Sequence, residues 1–177
     1  SITPNATTGA WSWASLAAMT DGSNDGLYTF VLTVTDPAGK IKTAEQKVLV
    51  DTHGPTITIA TPTANALFVS SPSNANVIIT DPGVGYLDGA VTFTSTNGVS
   101  NQARNGDSWT VDLTMTGEGT KTLTVTAVDR LGNTTTSPAR TFNYDTQPPT
   151  LGETQIVTPY QNAGFKLAGP MSDTNGL

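Results

Sequence analysis

The 177-residue chain contains no cysteine. It therefore has no disulfide, no thiolate nucleophile and no zinc site built on thiolates. It has one histidine, His53, and 8 lysines and arginines against 14 aspartates and glutamates, for a net charge of −6. A chain so poor in cations lacks the electrostatic footprint of a nucleic-acid-binding protein. No apolar run approaches the roughly 18 residues of a membrane-spanning helix, so no membrane insertion is expected of this segment. Charged residues make up 12% of the chain, about half of the usual ~25%. Glutamate, a helix former, occurs three times, whereas aspartate, a turn and cap residue, occurs 11 times. The sequence opens at Ser1, with neither methionine nor signal peptide, as expected of a mature or excised part of a longer chain.

Threonine fills the gap left by charge, with 33 residues. It is β-branched and half polar, which suits the solvent face of a strand and disfavours helix interiors. Seventeen glycines and 11 prolines supply turns. Strands are expected where apolar residues alternate with threonine. Tyr28, Phe30, Leu32 and Val34 alternate in this way, as do Trp109, Val111, Leu113 and Met115, and again Leu123, Val125 and Ala127. Ile57 and Ile59 continue the pattern, and shorter strands are expected over 77–80, 90–95, 99–104 and 136–144. Asn97-Gly98 and Asn105-Gly106 read as tight hairpin turns. About seven strands per unit, separated by turn signals, predict an all-β sandwich.

The chain repeats itself. Tyr28-Thr-Phe-Val-Leu-Thr-Val-Thr-Asp36-Pro-Ala-Gly39 matches Lys121-Thr-Leu-Thr-Val-Thr-Ala-Val-Asp129-Arg-Leu-Gly132, with the aspartates and glycines 93 positions apart. Asp51-Thr-His-Gly-Pro55 matches Asp145-Thr-Gln-Pro-Pro149 at 94 positions, and Asp173 follows Asp81 at 92. A period of about 94 residues divides the chain into the back of one repeat (1–51), a whole repeat (52–145) and the front of a third (146–177). The prolines at the joints fix φ and stiffen the connections.

A tryptophan strand, then Asp25-Gly26-Leu27-Tyr28, Asp36, Gly39 and the Asp51–Pro55 joint, form a combination that resembles the bacterial immunoglobulin-like repeats of large surface proteins and adhesins. The resemblance implies tandem immunoglobulin-like β-sandwiches acting as an extracellular stalk on the bacterial surface, often with calcium at the joints, and no catalysis. Its partners are then the neighbouring repeats of the same chain. The second repeat departs from the pattern, because Glu118-Gly119-Thr120-Lys121 replaces Asp-Gly-x-Tyr. A tyrosine-corner role is therefore expected of Tyr28 and not of Lys121.

In an immunoglobulin-like sandwich one end gathers the incoming linker, the loop after the second strand and the loop between the last two strands. In the whole repeat these carry Asp51, Asp81 and Asp129, and the next repeat contributes Asp145 and Asp173, with Glu153 as a further ligand there. Calcium takes six to eight oxygens, so three carboxylates with loop carbonyls and water would suffice. The competing reading needs no metal. Asp36-Pro-Ala-Gly39 is a good type I turn, Asp129 can serve its own turn amides, and Arg130 can neutralise it.

Other chemistries are weaker. A Ser-His-Asp mechanism would need His53, whose counterpart in the next joint is Gln147. Asp21 with Asp25, and Asp81 with Asp88, fall in turn-rich stretches rather than in a carboxylate pair across a cleft. Trp13 and Trp109 occupy matching strand positions and read as core, leaving Trp11, Tyr86 and Tyr160 as the exposed aromatics a carbohydrate- or receptor-binding module would use. A filament subunit is the remaining alternative, in which incomplete repeats of neighbouring copies complete each other by strand addition.

Overall fold

The computed structural model describes residues 25–152 and 169–173. Trp11, Trp13, Asp21, Glu153 and Tyr160 lie outside the described residues. The described chain is all-β, and its one helical element is a 3-10 turn at Asp88–Ala90. The strands in chain order are β1 (Gly26–Thr35), β2 (Ile41–Val50), β3 (Thr56–Thr61), β4 (Leu67–Phe68), β5 (Ser73–Thr80), β6 (Thr92–Ser95), β7 (Val99–Asn105), β8 (Ser108–Leu113), β9 (Gly119–Val128), β10 (Thr134–Thr136), β11 (Arg140–Tyr144), β12 (Thr150–Leu151) and β13 (Met171–Ser172).

Two sheets form the centre, and together they give a sandwich-like fold. One has the order β3-β5-β8-β7, all antiparallel. The other is organised on β9, which pairs with β6 along one edge and with β10 and β11 along the other, while β4 adds parallel to β11. Both sheets turn alternate side chains into one cluster. Val77, Ile79, Val111 and Leu113 come from the first sheet, and Leu123, Val125, Ala127 and Phe142 from the second, all fully buried. This is what a period-2 sequence produces when one face of each strand is dry. Trp109 joins this core, as its strand position implied: its ring lies 5.6 Å from Phe93 of the facing sheet, and its Nε1 donates to Tyr86 Oη at 3.2 Å. Tyr86 is itself buried, 6% exposed. It is therefore not the exposed aromatic that a sugar platform needs.

Several expectations are corrected. The stretch 136–144 is two strands, because Ser137 turns its hydroxyl onto the Val125 amide (3.0 Å) and Pro138 has no amide to continue a ladder. The strand at Trp109 stops at Leu113, short of Thr116. Beyond it the amides of Met115 and Thr116 are taken by Ser71 Oγ and Asn97 Oδ1. Asn97-Gly98 is no hairpin: β6 and β7, which it joins, lie in different sheets. Asn105-Gly106 does begin a hairpin between paired strands, with Gly106 at φ 61°. Lys121 is buried, 6% exposed, and its Nζ donates to the Thr116 carbonyl five residues upstream at 2.9 Å. It thus makes the return contact to backbone that was expected only of a tyrosine.

Outside the two sheets, β1 and β2 form a ten-residue antiparallel ladder, Gly26↔Val50 to Thr35↔Ile41. β2 has no clean alternation, since Lys42, Glu45 and Lys47 fall on both faces, and its strand character comes from pairing with β1. β12 and β13 form a short separate ladder.

Candidate metal centre

Three chain segments meet at one end of the sandwich. Asp51 stands in the linker after β2, Asp81 follows β5, and Asp129 follows β9. One carboxylate oxygen from each lies within 4.8 Å of the others. Each aspartate ends a strand where a turn has amides to spare. Asp129 Oδ1 accepts from the amides of Leu131 and Asn133, both at 2.8 Å, so the carboxylate first builds its own turn. Asp81 Oδ1 accepts from the Gly83 amide at 2.9 Å. Asp51 Oδ1 accepts from His53 N at 3.2 Å and Oδ2 from Val84 N at 3.0 Å, which carries the linker aspartate onto the loop after β5.

The second oxygens are what matter chemically. Asp129 is 2% exposed, and its Oδ2 accepts from Asn133 Nδ2 at 2.7 Å. Asn133 Nδ2 also donates to the Asp51 carbonyl at 3.1 Å, so one amide ties the linker backbone to the β9–β10 turn. Asp81 Oδ2 is buried and has no hydrogen-bond partner. A carboxylate oxygen left without water or donor is costly. Burial accordingly pushes the Asp81 carboxyl above its ordinary value, the charges of Asp51 and Asp129 push in the same direction, and the backbone amides of Gly83 and, least, Gly85 oppose them. Arg130 makes no ion pair with any of the three; the ion pairs among the described residues are Lys47–Glu45, His53–Asp25 and Arg104–Asp88. Of the metal-free reading, neutralisation by Arg130 is thus not present, whereas Asp129 does serve its own turn amides.

The donor set fits a hard cation. All three side chains offer oxygen, with neither thiolate nor imidazole among them, and oxygen-only ligation suits calcium or magnesium rather than zinc or copper. An orphaned, desolvated oxygen beside two further carboxylates is an arrangement that a bound cation would satisfy.

The rest of the joint is fastened by bonds that sequence reading missed. Thr52 donates to Asp25 Oδ1 through both its amide (3.0 Å) and its hydroxyl (2.9 Å). His53 Nδ1 lies 2.8 Å from Asp25 Oδ2. That bond, with the Thr52 bonds, holds the Asp25 carboxyl below its ordinary value, against some desolvation. His53 is therefore occupied as a linker clamp, and no serine is bonded to it among the described contacts. Gly54 packs against β10, where a Cβ would stand 2.7 Å from Thr135 Oγ1. A cleft of about 550 Å³ runs between the β1–β2 ladder and the loop after β5, lined by Leu27, Leu49, Asp51, His53, Asp81 and Gly83 among others.

Asp145 and Asp173 are not gathered in the same way. Asp145 repeats the local contact of Asp51, accepting from the amide two residues on (Gln147 N, 3.1 Å). Asp173 lines a surface cleft of about 340 Å³ with Gln147, Pro148, Thr150 and Ser172. Among the described residues, no group of three metal-ligating side chains includes either of them. Comparison with known proteins returns no matching family model and no matching curated protein.

Proposed function

We propose that the chain is a structural spacer: consecutive immunoglobulin-like β-sandwich repeats of an extracellular bacterial surface protein or adhesin, in which calcium locks one repeat against the next. The observation that carries this reading is the convergence of Asp51, Asp81 and Asp129 around an unpartnered buried oxygen, because Asp51 belongs to the linker and the other two to the sandwich it enters. A cation there would fix the linker to two loops at once. It would raise the resistance of the joint to bending without any change within the sheets.

The repeat half of the reading is supported by contacts that recur with the period of the sequence. Asp36 Oδ1 accepts from the amides of Ala38 and Lys40 as Asp129 Oδ1 does from Leu131 and Asn133. Thr146 donates amide and hydroxyl to Glu118 as Thr52 does to Asp25. The start of β1 pairs with the end of β2 (Gly26↔Val50) as the start of β9 pairs with the end of β11 (Gly119↔Tyr144).

The test is thermal unfolding and small-angle scattering of the purified chain in calcium, in magnesium and in chelator. Calcium at about 100 times its dissociation constant stabilises a single site by about 2.7 kcal/mol, or about 5–10 °C for a chain of this size. The scattering curve in calcium is expected to show the narrower distribution of dimensions. Identical melting and scattering in calcium and chelator would overturn the calcium joint.

A further inference from the structure

Two asparagine–glycine pairs lie among the described residues, Asn97-Gly98 and Asn105-Gly106, and the fold holds them differently. Such a pair carries its own chemistry. The glycine has no side chain to shield its amide and its backbone is permissive, so its nitrogen can attack the side-chain carbonyl of the preceding asparagine. At Asn97 both reacting groups are taken. Gly98 N donates to the Ser95 carbonyl at 3.2 Å, and Asn97 Oδ1 accepts from Thr116 N at 3.2 Å. At Asn105 neither is. That pair stands exposed at the tip of the β7–β8 hairpin, where Asn105 pairs with Ser108 and Gly106 takes φ 61°. Among the described contacts, neither Gly106 N nor the Asn105 side chain makes a hydrogen bond.

We propose that Asn105 is a site of spontaneous modification, at which the side-chain amide is converted through a cyclic imide to aspartate and isoaspartate. Hydroxide removes the Gly106 amide proton, the nitrogen bonds to Asn105 Cγ, and the Cγ–Nδ2 bond breaks to release ammonia. Water then opens the ring. Attack at Cγ restores the ordinary backbone and leaves an aspartate. Attack at the main-chain carbonyl carbon leaves the chain running through Cγ, as isoaspartate. Either product puts a carboxylate where an amide stood, adding one negative charge to a chain of net charge −6.

The two products differ in what they do to the hairpin. Isoaspartate lengthens the backbone by one carbon at a tight turn whose register the Asn105–Ser108 pair fixes. Arg104 depends on that turn. Its Nε donates to the Gly106 carbonyl at 2.6 Å, its guanidinium lies 4.6 Å over the Tyr86 ring, and it ion-pairs with Asp88. Displacing the Gly106 carbonyl removes the first of these contacts and loosens the cover on Tyr86. Arg104 and Asp107, which flank the pair, line a surface cleft of about 370 Å³ that Asp81 also lines. The new carboxylate is thus added at the acidic end of the sandwich. The inference does not depend on calcium.

Peptide mapping by mass spectrometry, with fragmentation that separates isoaspartate from aspartate, tests it on the purified chain aged in mildly alkaline buffer, both folded and in urea. In the folded chain Asn105 should convert roughly tenfold faster than Asn97, the factor by which a single hydrogen bond on the attacking amide changes a rate. In urea, where both amides are free, the two rates should come within about twofold of each other. Asn105→Gln, whose longer side chain must close a larger ring, should stop conversion at this position without a change in melting. The Arg104 Nε–H resonance should gain a second position in proportion to the isoaspartate formed, and Asn105→Asp should not produce it. Asn105 that stays intact in the folded chain while converting in urea would overturn the proposal, as would equal conversion of the two pairs when folded. A gap that persists in urea would overturn the protection assigned to the bonds at Asn97. An Arg104 signal unmoved by isoaspartate would overturn the loosening of the hairpin.

Discussion

Gly83 lies so close to the linker that a Cβ on it would collide with Asp51 Oδ2. The glycine is required for space. The carboxylate of Asp51 occupies the volume a side chain would take, held there by the Val84 amide. Gly83→Ala must push the Asp51 carboxylate out of the cluster. Because that carboxylate is the tip of a rotatable side chain, the fold survives, at a cost of about 1 kcal/mol for the lost amide bond. Calcium affinity, which depends on where the carboxylate stands, should fall at least tenfold, about 1.4 kcal/mol. Calorimetric titration beside a chemical denaturation curve checks both. Unchanged affinity would mean that Asp51 is not a ligand.

Asp81 should behave in opposite senses with and without the cation. Its carboxyl is raised above the ordinary value by burial and by its two acidic neighbours. A group raised in the folded state is protonated more readily there than in the unfolded chain. Its ionised form therefore weakens the fold, and in chelator this penalty is relieved as pH falls from neutral through the raised value towards the unfolded value of 3.8. Asp81→Asn removes the penalty outright and lets an amide donate to a neighbouring carboxylate. In chelator at pH 7 the variant should melt above the wild type. In saturating calcium it should melt below it, because the cation-linked term of about 2.7 kcal/mol at 100-fold excess is lost. Four melting curves decide the matter. If the variant is the less stable in chelator as well, Asp81 serves only its turn.

Much of this arrangement was legible in the sequence because it follows from local chemistry. Aspartates that end strands and precede glycine mark loop ends, and a 93-position echo between Asp36 and Asp129 marks equivalent places in a fold. The gathering of Asp51, Asp81 and Asp129 could be anticipated from topology without any distance. The contacts that hold the cluster in shape were not legible. Asn133 works through a single amide that reaches both Asp51 and Asp129, and nothing in its neighbours distinguishes it from any turn asparagine. Gly83 reads as turn punctuation after Pro82, although its φ is not in the left-handed region and the reason for it lies 32 positions away in Asp51. β2 was missed because charges fall on both of its faces, which are almost wholly exposed. The period-2 signal depends on one buried face.

The contact of Lys121 was not legible for a related reason. Lysine ordinarily signals the surface, yet here its stem crosses the core side of β9 and its ammonium ends on the Thr116 carbonyl. Snorkelling of this kind makes the side chain apolar over most of its length and polar at its tip. Tyrosine has the same division, and Tyr28 occupies the matching place 93 positions earlier. The two residue types are thus predicted to be interchangeable here, unlike others. Lys121→Met keeps the packing and loses the hydrogen bond, and should cost about 1 kcal/mol. Lys121→Ala also opens a cavity between β9 and the loop before it, and should cost about 2–4 kcal/mol. Lys121→Tyr should lie within about 1 kcal/mol of wild type, because its hydroxyl can take over the Thr116 carbonyl. Denaturation midpoints of the three variants at constant slope give the comparison. An ordering in which tyrosine is no better than alanine would show that the position needs the ammonium charge and not a polar tip on an apolar stem.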